Sequence, residues 1–366
     1  MAAADEANPV RVWRVLAGCA ALALACSTAP PKDLPQPPAE PIDACHGAAG
    51  AEEVTVRYLR AGGFVIRFRD EALLTAPFYS NPSFIWAGLG LPIGPKPDRI
   101  PARPDLLANA TVAGVLVGHA HYDHLMDVPA VLEAWQLPNV PVYGDETAKQ
   151  LLSNRKWPGT AYPVNAAGGS WFRRGEWMHP PAAPGALPPH PRFRVMPLLS
   201  EHAPHAPGVK LFQGHVGPRE DEPRNAYDWK EGQTWGFLID VLTDDGARVL
   251  LRIHYQDSAS NPELGWPPEE LLAERSVDLV LFCAASFALV REHPQAILRA
   301  LAPRHAMAAH WEDFSSKPRD DGVPRVVALT SMPELLARLR GALPARHYSV
   351  PKPGAEVRFR VCGARP

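Results

Sequence analysis

Apolar and polar residues alternate along Val54-Thr55-Val56-Arg57-Tyr58-Leu59-Arg60 and again along Phe64-Val65-Ile66-Arg67-Phe68, with Gly62-Gly63 between them. A period of two puts one face in a core and the other towards water, so these segments read as two half-buried strands joined at a glycine turn. Further on the pattern changes to short apolar runs: Val112 to Gly118, Phe193 to Leu199, Val249 to Ile253 and Val277 to Phe282. Runs of this length and character read as buried strands. A last alternating strand is expected over Val357-Arg358-Phe359-Arg360-Val361, and helices near 128–135, 293–301 and 332–342. The order of elements fits two sandwiched sheets.

The amino terminus has a different pattern. Arg11 and Arg14 precede the apolar stretch Val15 to Cys26. At 1.5 Å per residue such a stretch covers roughly half of a ~30 Å hydrocarbon core, too little for a spanning helix. It reads as a secretory signal. A cysteine after small residues at its end resembles a bacterial lipoprotein processing site, with Cys26 as the expected lipidated residue and Cys19 as the alternative. Pro30, Pro31, Pro35, Pro37, Pro38 and Pro41 then favour an extended spacer and preclude a helix. The organisation expected is a signal peptide over 1–26, a proline-rich linker over 27–50 and one folded domain over 51–366. This places the protein on the cell envelope, held to a membrane by a lipid anchor and facing an extracytoplasmic space.

Composition narrows the function. Thirty-seven Lys+Arg against 39 Asp+Glu give a formal charge of −2, and no basic block occurs. The electrostatic footprint of a nucleic-acid-binding protein is therefore missing, and no nucleic-acid partner is expected. Beyond Cys26 the chain keeps Cys45, Cys283 and Cys362. Cys45 and Cys362 flank the first and last strands, so in an oxidising compartment they could pair and pin the termini together. Cys283 ends an apolar run and reads as a buried thiol.

The chemistry concentrates after the run Val112 to Gly118, where His119-Ala120-His121-Tyr122-Asp123-His124-Leu125-Met126-Asp127 packs three imidazoles and a carboxylate into six positions. A strand-end loop can turn all four side chains to one point, and these are ligands that suit zinc and similar ions.

The pattern His-x-His-x-Asp-His resembles the signature of the metallo-β-lactamase superfamily. The resemblance implies an α+β fold, a four-layer αββα sandwich expected to be pseudo-symmetric, and further ligands at fixed stations. A third histidine should follow a later strand, and His202 fits, with His205 as the alternative. A bridging aspartate should cap a further strand, which here is Asp257. A last histidine in a His-Trp context is supplied by His310-Trp311. By resemblance His119, His121 and His202 hold one divalent ion, Asp123, His124 and His310 hold a second, and Asp257 lies between. Two ions, zinc by the presence of His121, share a hydroxide that attacks a carbonyl carbon or a phosphorus atom. Asp123 is the expected catalytic residue, orienting that hydroxide.

Thr234-Trp235-Gly236-Phe237, Glu292-His293-Pro294-Gln295-Ala296 and His310-Trp311 are similar to the branch of ascorbate-6-phosphate lactonase and N-acyl-phosphatidylethanolamine phospholipase D. Two features depart from it. Ala76 stands where relatives carry a supporting aspartate, and Phe282 to Phe287 lacks the Pro-Ile-Gly of that branch. Two loops are candidates for substrate selection: the apolar segment Phe78 to Ile93, suited to an acyl chain or membrane contact, and residues 168–191 with Trp171, Arg173, Arg174 and Trp177. The expected function is hydrolysis of a phosphodiester or of an ester or lactone, in a lipid or other small molecule. A small-substrate lactonase or acyl-ester hydrolase is the alternative within the enzyme class. Outside that class stands a metal-binding envelope lipoprotein without turnover, which Ala76 keeps open.

Overall fold

The computed structural model describes residues 32–45, 51–153, 157–180, 191–218, 221–316 and 323–362. The signal segment, Cys19, Cys26 and part of the 168–191 loop lie outside these residues. The first sheet runs in the order β1 (Ile42–Asp43), β14 (Glu356–Cys362), β2 (Ala51–Arg60), β3 (Gly63–Phe68), β4 (Glu71–Thr75), β5 (Thr111–Leu116), β6 (Val142–Gly144) and β7 (Ala161–Pro163). The second runs β13 (Tyr348–Ser349), β12 (His305–Ala309), β11 (Leu279–Cys283), β10 (Val249–Gln256), β9 (Trp235–Leu242) and β8 (Phe193–Leu199).

The alternation in the sequence accounts for the facing layers. Val54, Val56 and Tyr58 of β2 are fully buried, as are Val357, Phe359 and Val361 of β14. They form one apolar cluster with Phe237, Ile239, Val241, Leu251 and Ile253 of the second sheet. Each such side chain taken from water contributes about 1.5–3 kcal/mol. Val131, Leu132, Leu151 and Leu152, from the helices Val128–Ala134 and Glu146–Ser153, pack in a second cluster with Val65, Leu74 and Val115 of the first sheet. The helices Gln295–Leu301 and Met332–Arg340 bring Ile297, Leu298, Leu335 and Leu339 to the cluster of the second sheet. Met332–Arg340 shows why it forms. Ser331 caps it by accepting from the Glu334 amide, proline stands in the first turn, and Met332, Leu335 and Leu339 repeat at helical spacing on the buried face. The result is an αββα sandwich.

Part of the segment expected to be a spacer is packed instead. Residues 32–45 lie along the domain, where Leu34 is buried and Val350 donates its amide to the Pro35 carbonyl at 2.7 Å. β1 pairs parallel with β14, Ile42 opposite Phe359 and Asp43 opposite Arg360. That register carries Cys45 to Cys362, and the two form a disulfide with Cα atoms 5.0 Å apart. Proline content excluded a helix here but did not exclude pairing at a sheet edge, where proline is tolerated. Cys283 is buried and free. Among the described residues no helix is long and apolar enough to cross a membrane.

Candidate metal centre

Four strands deliver the chemistry to one end of the sandwich. His119 follows β5, His202 follows β8, Asp257 caps β10 and His310 follows β12. Loops beyond the carboxyl ends of strands are where open α/β sheets gather ligands. After His121 the chain enters a short helical turn, Tyr122–Leu125, in which the His124 and Leu125 amides both donate to the His121 carbonyl at 3.0 Å. This turn carries Asp123 and His124 inward. The buried Asp127 carboxylate accepts from the Tyr79 amide and from the Ser80 amide and hydroxyl at 2.6–2.7 Å, fixing the segment that leaves β4.

All seven predicted positions converge. Ligand atoms of His119, His121 and His202 lie within 4.8 Å of one another, as do those of His119, His124 and Asp257, and those of Asp123, His124 and His310. Asp257 links the groups: Oδ1 is 3.1 Å from His119 Nδ1 and Oδ2 is 3.2 Å from His124 Nδ1. Asp123 Oδ2 lies 3.2 Å from His310 Nε2 and 3.6 Å from His124 Nε2. The donor set fits divalent ions. The Nε2 atoms of His119 and His121 are buried with no hydrogen-bond partner, a costly state that a bound metal ion would relieve. His202 Nδ1 donates to the Ala203 carbonyl at 2.6 Å, which fixes the tautomer and leaves Nε2 as the free lone pair.

Electrostatics agree with that fit. Burial pushes the Asp123 and Asp257 carboxyls up, but the imidazoles outweigh it: His124 and His310 hold Asp123, and His124 and His119 hold Asp257, well below the usual carboxylate range. Burial, reinforced by the neighbouring imidazoles, drives His121 and His202 well below their ordinary value, which favours the neutral rings that metal coordination requires. His124 is raised, because Asp257 and Asp123 overcome the opposing effect of burial.

Glycines set the close approaches. A Cβ on Gly118 would stand 2.2 Å from Asp257 Oδ1, and the Gly118 amide donates to Oδ2 at 3.0 Å. A Cβ on Gly62 would meet His124 Nδ1 at 2.8 Å. The Gly62 carbonyl is braced by the Thr75 hydroxyl at 2.6 Å and the Tyr255 hydroxyl at 2.8 Å. Thr75 thus supports the back of the site beside Ala76, which is buried just past the end of β4.

One feature beside the site escaped the sequence. Glu312 and Tyr58, 254 positions apart, form a buried bond behind His310, and only the His310-Trp311-Glu312 succession hinted at it. His205, the alternative to His202, lies beside these groups but belongs to none of them among the described residues. Of the two candidate loops, Phe78 to Ile93 contains a short helix, Phe84–Gly88, whose Phe84 lines the cleft above the site. The described part of the other packs away from the cleft, Trp171 edge-on to Trp266 at 5.3 Å and Trp177 beneath Arg194 at 4.2 Å.

The solved structures similar to this chain include Igni18, a metallo hydrolase from the hyperthermophilic archaeon Ignicoccus hospitalis, at 13% identity and a TM-score of 0.50 over 84% of this chain and 98% of that one. A possible metal-dependent hydrolase from Veillonella parvula is similar at 14% identity and a TM-score of 0.50, over 84% of this chain and 99% of that one. The fold is the metallo-β-lactamase fold. At these identities the likeness concerns the metallo-β-lactamase fold alone. No protein-family model matches the sequence, and no curated protein matches it.

Proposed function

We propose that this chain is a hydrolase with two divalent ions, zinc by the character of the donors, acting on an ester or lactone of an amphiphile. The observation that carries the reading is the convergence of seven imidazole and carboxylate groups, six of them buried and His202 half-buried, beneath an open, mostly apolar cleft. His119, His121 and His202 would hold one ion, Asp123, His124 and His310 the other, with Asp257 between. Such a pair supplies a hydroxide at neutral pH, the pKa of bound water falling to about 7, and stabilises charge on the attacked group. Asp123 lines the cleft and is held as a carboxylate by its imidazole neighbours, so it would orient the attacking oxygen by accepting a hydrogen bond from it.

The cleft wall supports the substrate class. Phe84, Val209, Leu211, Phe314, Val327 and Leu329 line it, and among the described lining residues there is no lysine or arginine. Apart from the ions themselves, a phosphodiester would meet no positive side chain there, whereas a neutral ester with an apolar chain would bury that chain on exposed apolar surface. Next to Phe84, outside the cleft, Ile85, Trp86 and Leu89 are 45%, 51% and 47% exposed, a patch suited to the same amphiphile or to a lipid surface. The Cys45–Cys362 disulfide supports an oxidising compartment and therefore the envelope placement that Cys26 or Cys19 would anchor.

The test is hydrolysis of long- and short-chain p-nitrophenyl esters, γ- and δ-lactones and bis(p-nitrophenyl) phosphate by zinc-loaded protein. The proposal expects ester or lactone cleavage that a chelator abolishes and zinc restores, with preference for longer chains. Cleavage of the phosphodiester alone would overturn the substrate class. No chelator-sensitive cleavage of any of them would overturn the hydrolase.

A further inference from the structure

His205 is built into the cleft wall with unusual definition for a loop residue. Its amide donates to the Val209 carbonyl at 2.8 Å, and the Val209 amide donates to the Ala206 carbonyl at 2.9 Å, closing a tight turn in which Gly208 takes φ +70°. The ring lies parallel to that of His202, 4.9 Å between centroids at 20°, while Phe212 closes the opposite side edge-on at 6.0 Å. The His121 ring is 5.5 Å away.

One bond settles the tautomer. The Leu211 amide donates to His205 Nδ1 at 3.1 Å. An amide N–H has only a hydrogen to offer, so Nδ1 presents its lone pair and the ring hydrogen sits on Nε2. Among the described residues Nε2 has no protein acceptor, and the ring lines the cleft beside His121 and His202. A neutral imidazole with a fixed Nε2–H beside the reacting centre is a preorganised donor of the kind that stabilises developing negative charge on oxygen.

We infer that His205 is a catalytic residue that donates its Nε2–H to the carbonyl oxygen of the substrate, distinct from the metal ligands. The inference rests on the hydrolase reading above. It explains why a second histidine stands three positions after His202 with its other nitrogen committed to the backbone. A metal ligand there would need Nε2 as a lone pair, which the Leu211 bond excludes for a neutral ring.

The test compares His205→Phe, which keeps an aromatic ring and loses the donor, with His205→Gln, which can return an amide N–H to about the same place. The expected result is wild-type metal content in both, kcat for the best ester or lactone about 10²–10³-fold lower in His205→Phe with little change in KM, and partial recovery in His205→Gln. Imidazole ¹⁵N NMR on the metal-loaded protein, with the His205 signals identified by their loss in His205→Gln, is expected to show Nε2 protonated and Nδ1 bare. The proposal is overturned by an Nδ1–H tautomer, by loss of metal in both variants, or by an undiminished kcat in His205→Phe while the wild type is active. A wild type that holds metal but cleaves no ester or lactone would instead overturn the hydrolase reading itself.

Discussion

The Tyr58 hydroxyl joins the two sheets at the His310 backbone: the His310 amide donates to it at 2.9 Å, and it donates in turn to the Glu312 carboxylate at 2.5 Å. Glu312 is buried and also accepts from the Ala61 amide at 2.8 Å, while the Ala61 carbonyl accepts from the His310 amide at 3.1 Å. His310 itself sits at φ 56°, a left-handed conformation that costs a non-glycine residue on the order of 1–3 kcal/mol. The strain persists because these bonds over-determine the loop. Tyr58→Phe removes the acceptor and one partner of a buried carboxylate, so a loss of about 1–3 kcal/mol is expected. Urea denaturation reads that loss, and elemental analysis should show reduced occupancy of the ion assigned to Asp123, His124 and His310. Unchanged stability and metal content in Tyr58→Phe would show that the clamp is idle.

Gly118 separates a steric requirement from chance. Because a Cβ there would overlap Asp257, Gly118→Ala must displace the carboxylate that lies between the two ligand groups. Metal affinity is expected to fall by at least the ~10–100-fold typical of disturbed ligand support. Gly94→Ala, with nothing within 4 Å of the new Cβ, serves as the neutral control. Equal zinc titration curves for the two variants would contradict the placement of Asp257.

Acid should destabilise the fold through histidines outside the centre. Burial lowers His254, His293 and His305 to about 4, each with Nε2 on a buried oxygen acceptor. The unfolded chain binds these protons near 6.5, so it takes up more protons than the native state between the two values. The stability they contribute is complete above about 6.5 and is lost progressively as pH falls towards 4, on the order of 3 kcal/mol for each histidine. Thermal unfolding with chelator present, to remove the competing effect of metal release, should show Tm falling steeply across that window. A flat profile from 6.5 to 4.5 would be inconsistent with neutral buried rings.

The termini are tied covalently. Cys45 and Cys362 close a loop of 317 positions, and removing such a crosslink typically costs ~2–5 kcal/mol. The double variant Cys45→Ser, Cys362→Ser should unfold at lower urea by that amount, and release of residues 32–45 should make them the first site of limited proteolysis. Identical unfolding curves with and without reductant would mean that the bond does not form in solution.

The centre was legible where chemistry is local. His119 to His124 announce themselves within six positions, and His202, Asp257 and His310 each stand just after an apolar run that became β8, β10 or β12. The alternating segments became β2, β3 and β14, but β3 is not half-exposed: Phe64, Ile66 and Phe68 face the inner core while Val65 on the other face is buried in the cluster with the helices. What could not be read depends on partners far away in sequence. β1 is two residues long and exists through its pairing with β14. β9, fully buried between β8 and β10, was not singled out as a strand, because Asp240 interrupts its apolar run; that aspartate is paired with Arg252 and Arg194. His202 and His205, three positions apart, differ in whether Nδ1 faces a backbone carbonyl or a backbone amide, a matter of angles that spacing does not encode.

The most direct measurement is the metal content of the purified wild-type chain beside Asp257→Ala, by elemental mass spectrometry with folding checked by circular dichroism. Two zinc-like ions per wild-type chain, with loss in Asp257→Ala, is the predicted result. One ion or none in well-folded wild-type protein, unchanged by the substitution, would contradict the dinuclear centre and the hydrolase built on it.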